Sequence, residues 1–191
     1  MRLVVAALMG VALAGAVTAL EAQEIPRPAM DYVITLPDGQ TTSVAKYKGK
    51  VVAIEFLLTT CPHCQQTART LSQATKDFGA KGFQALGVAI NPNPEVPKFI
   101  QDFGVNYPVG TGPRETVYSF LQHSLMSPNL MMPQLVFIDR SGIVRAQYDG
   151  TADFFKAEDK NVRAMIEKLL AEPAAKNPSG TKTTVPAKRR S

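Results

Sequence analysis

Residues 51–64 read Val51-Val52-Ala53-Ile54-Glu55-Phe56-Leu57-Leu58-Thr59-Thr60-Cys61-Pro62-His63-Cys64, an apolar run broken by one acid and closed by two cysteines. Seven of the eight residues from Val51 to Leu58 are apolar, the pattern of a central strand covered on both faces. Residues 62–80 read as the helix that follows, because Cys64, Ala68, Leu71, Thr75 and Phe78 recur at spacings of three and four and form one face to lie on a sheet. Gly82 ends that helix, and Phe83 to Ile90 is the next buried strand. Strand, helix, strand implies a parallel pair joined by a crossover.

Toward the N-terminus, an extended opening (Ile25 to Ile34) leads to the turn signal Leu36-Pro37-Asp38-Gly39, a polar stretch and Lys48-Gly49-Lys50. Toward the C-terminus, Asn91-Pro92-Asn93-Pro94-Glu95 opens a segment with a short helix at 96–103, a short strand at 107–109 and helical propensity from Arg114 to Leu125. A loop through Met131-Met132-Pro133 follows. Asp139-Arg140-Ser141-Gly142 then separates Leu135–Ile138 from Ile143–Tyr148, a hairpin with a turn-forming centre. A last amphipathic helix at 157–170 carries Val162, Met165, Ile166, Leu169 and Leu170 on one side. This order is α/β and that of a thioredoxin fold: a central mixed sheet flanked by helices, with an N-terminal extension and a helix-containing insert before the strand that follows Pro133.

The stretch Leu3 to Leu20 carries no charge and ends among Ala16, Ala19 and Ala22, so residues 1–22 read as a secretory signal peptide, with a retained membrane anchor as the alternative. The expected setting is the periplasm or the exterior, where a lone cysteine pair tends toward the disulfide. Residues 23–171 have the size of one domain. Residues 172–191 hold five basic residues against one acidic, which accounts for most of the chain's net charge of +5. The basicity therefore belongs to a tail of disorder-prone composition and is no sign of nucleic-acid binding; weak contact with anionic surfaces is the most it suggests.

Cys61 and Cys64 are the only cysteines. With Pro62 at the first helical position, Cys61 falls at the cap, where free backbone N–H groups favour thiolate over thiol, the form that attacks a disulfide. His63 adds a donor in the same turn, and Cys64, one turn along, is the expected resolving thiol. A structural disulfide is a poor alternative, since so short a loop constrains little chain. Zinc would need two ligands beyond the cysteines, and His63 and His123 are the only histidines. Copper(I) binding is a stronger alternative, because His123, Met126, Met131 and Met132 fall in one segment, although methionine there also suits groove packing.

Glu55, an acid inside an apolar strand, is expected beneath the cysteines as a proton carrier for Cys64; an edge position or an ion pair with lysine is the plainer reading. Pro133, directly before a strand, is poor ladder material and suits a cis bond. If it faces Cys61, the Met132 backbone is left to pair with an extended substrate.

The run Lys50 to Phe56, then Cys61-Pro62-His63-Cys64, then Pro133 with Ile138-Asp139-Arg140-Ser141-Gly142, resembles the exported thioredoxin-like proteins of the TlpA and ResA type, within the redoxin or AhpC/TSA-related superfamily. The resemblance spans roughly residues 28–171. It implies that Cys61 attacks, that Cys64 resolves, that Pro133 is cis and that Glu55 occupies the place of thioredoxin's buried acid. It also implies exported reductants acting on apocytochrome or copper-site thiols. Thr60 stands where the family usually has tryptophan, which leaves the surroundings of Cys61 less aromatic and makes Thr60, with Met132, a candidate substrate contact. Pro62-His63 is the dipeptide of the oxidising DsbA proteins. Peroxiredoxins, a related fold, carry Pro and Thr seven and three residues before their reactive cysteine; Ile54 and Leu58 stand there, so peroxidase activity is not expected.

The sequence therefore predicts a thiol:disulfide oxidoreductase working through a Cys61–Cys64 disulfide, with no other cofactor and no metal. Its expected partners are protein thiols or disulfides and a membrane or periplasmic redox protein. A copper(I)-binding protein and a periplasmic disulfide oxidase are the alternatives.

Overall fold

The structure, a computed structural model, describes residues 24–124 and 129–173. Its strands are β1 (Arg27–Pro28), β2 (Val33–Thr35), β3 (Thr41–Ser43), β4 (Val51–Leu57), β5 (Phe83–Ala89), β6 (Val109–Thr111), β7 (Gln134–Ile138) and β8 (Ile143–Tyr148). The helices are α1 (Pro62–Phe78), α2 (Val96–Phe103), α3 (Arg114–Leu121) and α4 (Glu158–Ala171). All the strands join one mixed sheet in the order β1-β8-β7-β4-β5-β6-β2-β3. The apolar run is central, as its composition requires: β4 is parallel to β5, antiparallel to β7 and buried at every position.

Alternation along β4 divides the core. Val51, Ala53 and Leu57 face a layer that includes Cys64, Ala68 and Leu71 of α1, Phe99 of α2 and Val162, Ile166 and Leu169 of α4. Val52, Ile54 and Phe56 face the opposite layer, built from Tyr32, Ile34 and, on α3, Val117, Phe120 and Leu121. Each fully buried Leu, Ile or Phe contributes about 1.5–3 kcal/mol to this arrangement. By the same alternation Glu55 points to the α1 and α4 side.

The N-terminal extension reaches both edges of the sheet: β1 pairs with β8, while β2 and β3 continue beyond β6. It is anchored by Tyr32, edge-on to Phe56 and Phe120, and by the buried Arg27, whose guanidinium donates to the Phe120 carbonyl at 2.9 Å and to Gln147 Oε1 at 2.7 Å.

Several boundaries differ from expectation. Thr41–Ser43, read as a polar stretch, is the edge strand β3, where one covered face needs only Thr42 buried. The strand expected at 107–109 lies at Val109–Thr111, and α1 gives way at Phe78 to a 3-10 turn, Gly79–Lys81, closed by Gly82 at φ 97°. Helix α3 stops at Leu121 because Gln122 turns left-handed at φ 49° and its N–H bonds back to Ser119 and Tyr118.

The β7–β8 hairpin carries a bulge at Arg145, the residue skipped between the Phe137–Ala146 and Ile138–Val144 pairs. Arg145 reaches Asp139 at 3.0 Å and Glu172 at 2.5 Å, and Arg140 donates to the Leu170 carbonyl at 2.8 Å. The folded part thus includes Glu172, which the sequence reading assigned to the tail. The signal-peptide reading of residues 1–22 and most of the tail lie outside the described residues. Among the described residues no helix is long and apolar enough to cross a membrane.

Candidate active site

One turn separates β4 from α1, closed by the Cys61 N–H donating to the Leu58 carbonyl at 3.0 Å. Cys61 is the extended N-cap residue (φ −82°, ψ 117°) and Pro62 takes the first helical position, where a missing N–H costs nothing. No side chain caps α1, so the first N–H groups of the helix remain open beside the Cys61 sulfur. Cys61 is half-buried and Cys64 is fully enclosed; both are free thiols.

Sequence reasoning missed the residues that hold this turn. Asn91 Oδ1 accepts from the Thr59 N–H at 3.0 Å, its Nδ2 donates to Thr59 Oγ1 at 3.1 Å, and Gln65 Nε2 donates to the Thr59 carbonyl at 3.0 Å. The parallel register carries the signal for Asn91: with Leu57 opposite Ala89, the chain two residues on brings Thr59 to Asn91.

Glu55 lies under the cysteines, completely buried and away from the sheet edges, and among the described residues no cation pairs with it. Both carboxyl oxygens lack a hydrogen-bond partner, as does the hydroxyl of Tyr107, which faces the carboxyl without a bond of good geometry. Burial, then the charges of Glu158 and Cys61, hold the Glu55 carboxyl well above the ordinary carboxylate range. Burial, then Glu55, pushes the Cys64 thiol strongly upward. Tyr107 is raised in the same way, by burial first and Glu55 second. The sequence did not single out Tyr107 or Glu158.

The antiparallel register sets Phe56 against Gln134, so Met132 and Pro133 stand at the end of β4 from which the chain turns into Cys61. The Met132–Pro133 bond is cis; Ile25–Pro26, not foreseen, is also cis. The Met131 carbonyl accepts from the Gly150 N–H at 3.0 Å and from Gln134 Nε2 at 2.8 Å, whereas no hydrogen bond among the described residues engages the Met132 backbone. Gly150 packs so tightly on the Met132 carbonyl that a β-carbon there would collide with it. Thr60 and Met132 line different clefts on either side of the turn, of about 320 and 200 Å³. A third cleft, near Tyr47 and Val52, lies at the opposite end of β4.

The surroundings of the cysteines are more aromatic than the sequence suggested. His63 meets Phe155 edge-on at 4.7 Å, and Phe155 continues into Phe154, which stacks on Tyr148 at 3.9 Å. Phe154 and Phe155 come from the 3-10 turn Asp153–Ala157, which no sequence motif marks. His123 lies against Tyr118, and Met126 is outside the described residues. Among the described residues no three of His, Cys, Asp or Glu gather in a metal-ligating group.

A thioredoxin-type sheet with a cysteine pair at the head of its central helix defines a thioredoxin-fold protein suited to thiol–disulfide chemistry. The chain belongs to the AhpC/TSA family, whose model matches residues 25–147. It is 26% identical over 124 residues to the thiol-disulfide oxidoreductase ResA of Geobacillus kaustophilus, covering 64% of this chain and 68% of that one. A thiol:disulfide interchange protein of the thioredoxin family from Chlorobium tepidum superposes with a TM-score of 0.65 at 26% identity, over 78% of this chain and 99% of that one. The thioredoxin domain of a thiol-disulfide oxidoreductase from Bacteroides vulgatus shares the fold, at 20% identity and a TM-score of 0.60, over 76% of this chain and 96% of that one.

Proposed function

We propose that the protein is an exported thiol:disulfide oxidoreductase acting on protein substrates. The observation that carries this reading is the asymmetry of the pair: Cys61 reaches the surface at an uncapped helix start, and Cys64 is sealed one turn behind it. In the direction we favour, the Cys61 thiolate attacks a partner disulfide, forming a mixed disulfide and releasing one partner thiolate, which takes a proton from water. Cys64 gives its proton to Glu55 and attacks Cys61 sulfur; the Cys61–Cys64 bond forms, the mixed disulfide breaks and the second partner sulfur leaves as thiolate. Two electrons pass from the cysteine pair to the partner. The free Met132 backbone and the two flanking clefts offer an extended chain a place beside Cys61, with Thr60 and Met132 as contacts. Pro62 and His63 shape the turn between the thiols.

A reducing role is supported by Cys64, whose thiolate is disfavoured by burial and by Glu55, so Cys64 adds no thiolate stabilisation to the reduced pair. The motif resemblance to exported reductants of the TlpA and ResA type points the same way, and exported thiols of apocytochromes or metalloproteins are the substrates we favour. The Pro62-His63 dipeptide favours the opposite role, a disulfide donor. The equilibrium reduction potential separates the two: about −250 mV or lower is expected for the reductant, and about −120 mV would assign the donor role.

A further inference from the structure

Glu158 opens α4 and is not part of any motif in the sequence. It is half-buried, yet its Oε1 is sealed from solvent without a hydrogen-bond partner. Three other unpaired, enclosed oxygens accompany it: both of Glu55 and the hydroxyl of Tyr107. They come from three elements that meet around Glu55, namely β4, the segment before β6 and the start of α4. Thr67, one turn after Cys64 on α1, stands beside the Glu158 carboxyl and gives its own hydroxyl proton to the His63 carbonyl at 3.2 Å. The titratable groups around Glu158 are Glu55 and Tyr107, with Asp159 on its own helix; Cys61 and Cys64 lie on the far side of Glu55, and His63 is in the same turn of α1 as the cysteines. Asp159 is engaged by Arg163 at 3.0 Å. Among the described residues, no lysine or arginine pairs with Glu55 or Glu158.

We propose that Glu158 is a positioning residue for the thiol chemistry: its charge, held in the same poorly solvated space as Glu55, sets the pH at which Glu55 accepts the proton of Cys64. Two carboxylates in one poorly solvated space without a cation do not both ionise readily, so the charge on the more exposed acid delays ionisation of the deeper one. Both carboxyls are held above their ordinary range, and the charge on Glu158 follows burial as the cause at Glu55. The inference rests on the reading of Glu55 as the acceptor for Cys64.

The test follows release of both aromatic thiolates when the reduced full chain meets 5,5′-dithiobis(2-nitrobenzoate). The first reports attack by Cys61 and the second reports resolution by Cys64. The resolution rate is measured across the pH range in which carboxyl and thiol groups titrate. Glu55→Gln is expected to remove the limb that rises with Glu55 ionisation. Glu158→Gln and Glu158→Ala are each expected to move that limb about one pH unit to the acid side, a tenfold faster resolution on the limb, with a lower plateau because Glu55 becomes a weaker base. Glu158→Asp, which keeps the charge, should restore the wild-type position. A limb that stays in place in both neutral variants while Glu55→Gln removes it would overturn the role of Glu158 alone. A profile indifferent to Glu55→Gln would overturn the reading of Glu55 on which it rests.

Discussion

The carboxyl of Glu55 and the hydroxyl of Tyr107 face each other in the core, with no cation beside them among the described residues and three buried oxygens left unpaired beneath Cys64. An ionised carboxyl in that position opposes folding. Because its folded-state pKa lies above the ordinary value of 4.5, the folded protein holds the proton longer than the unfolded chain, and stability falls as the pH climbs from that value. Glu55→Gln removes the penalty. Denaturant unfolding at neutral pH should show the variant about 1–3 kcal/mol more stable, with the gain vanishing below pH 4.5. Its thiol exchange at neutral pH should nonetheless be slower.

Gly150 lies against the Met132 carbonyl, where an added β-carbon would stand 2.5 Å from the Met132 carbonyl carbon and 3.1 Å from the Pro133 nitrogen. Gly150→Ala must therefore displace the segment that borders Cys61. A loss of about 1–3 kcal/mol in stability is expected, with slower exchange toward a peptide disulfide. A fully stable, fully active Gly150→Ala would show that this contact places nothing.

Asn91 holds the turn from the loop that follows the neighbouring strand β5. Asn91→Ala leaves the Thr59 N–H, in a residue only 9% exposed, without its acceptor. The cost should be about 1–3 kcal/mol by thermal or denaturant unfolding, and Asn91→Asp, which keeps an acceptor, should recover part of it.

The legible parts of this protein are those in which one segment speaks for itself. The β4 run, α1 and the Asp139–Gly142 hairpin carry their period or their turn residues locally, and they brought Glu55, Cys61, Cys64 and Pro133 to one end of the sheet in the reading. The parts that escaped are set by pairing between distant segments. Asn91 acts through parallel register, and Gly150 through a close approach to a loop eighteen residues earlier. Phe155 and Glu158 enter through the way α4 packs on α1. Edge strand β3 was missed because three residues with one covered face leave hardly any alternation to read.

Trapping of the mixed disulfide tests the central claim most directly. The reduced Cys64→Ser protein, mixed with a disulfide-bonded peptide and examined by peptide mass mapping, should hold the peptide covalently on Cys61, while Cys61→Ser should hold none. A stable adduct on Cys64 in the Cys61→Ser protein, or none in the Cys64→Ser protein, would contradict the assignment of Cys61 as nucleophile and Cys64 as the resolving thiol.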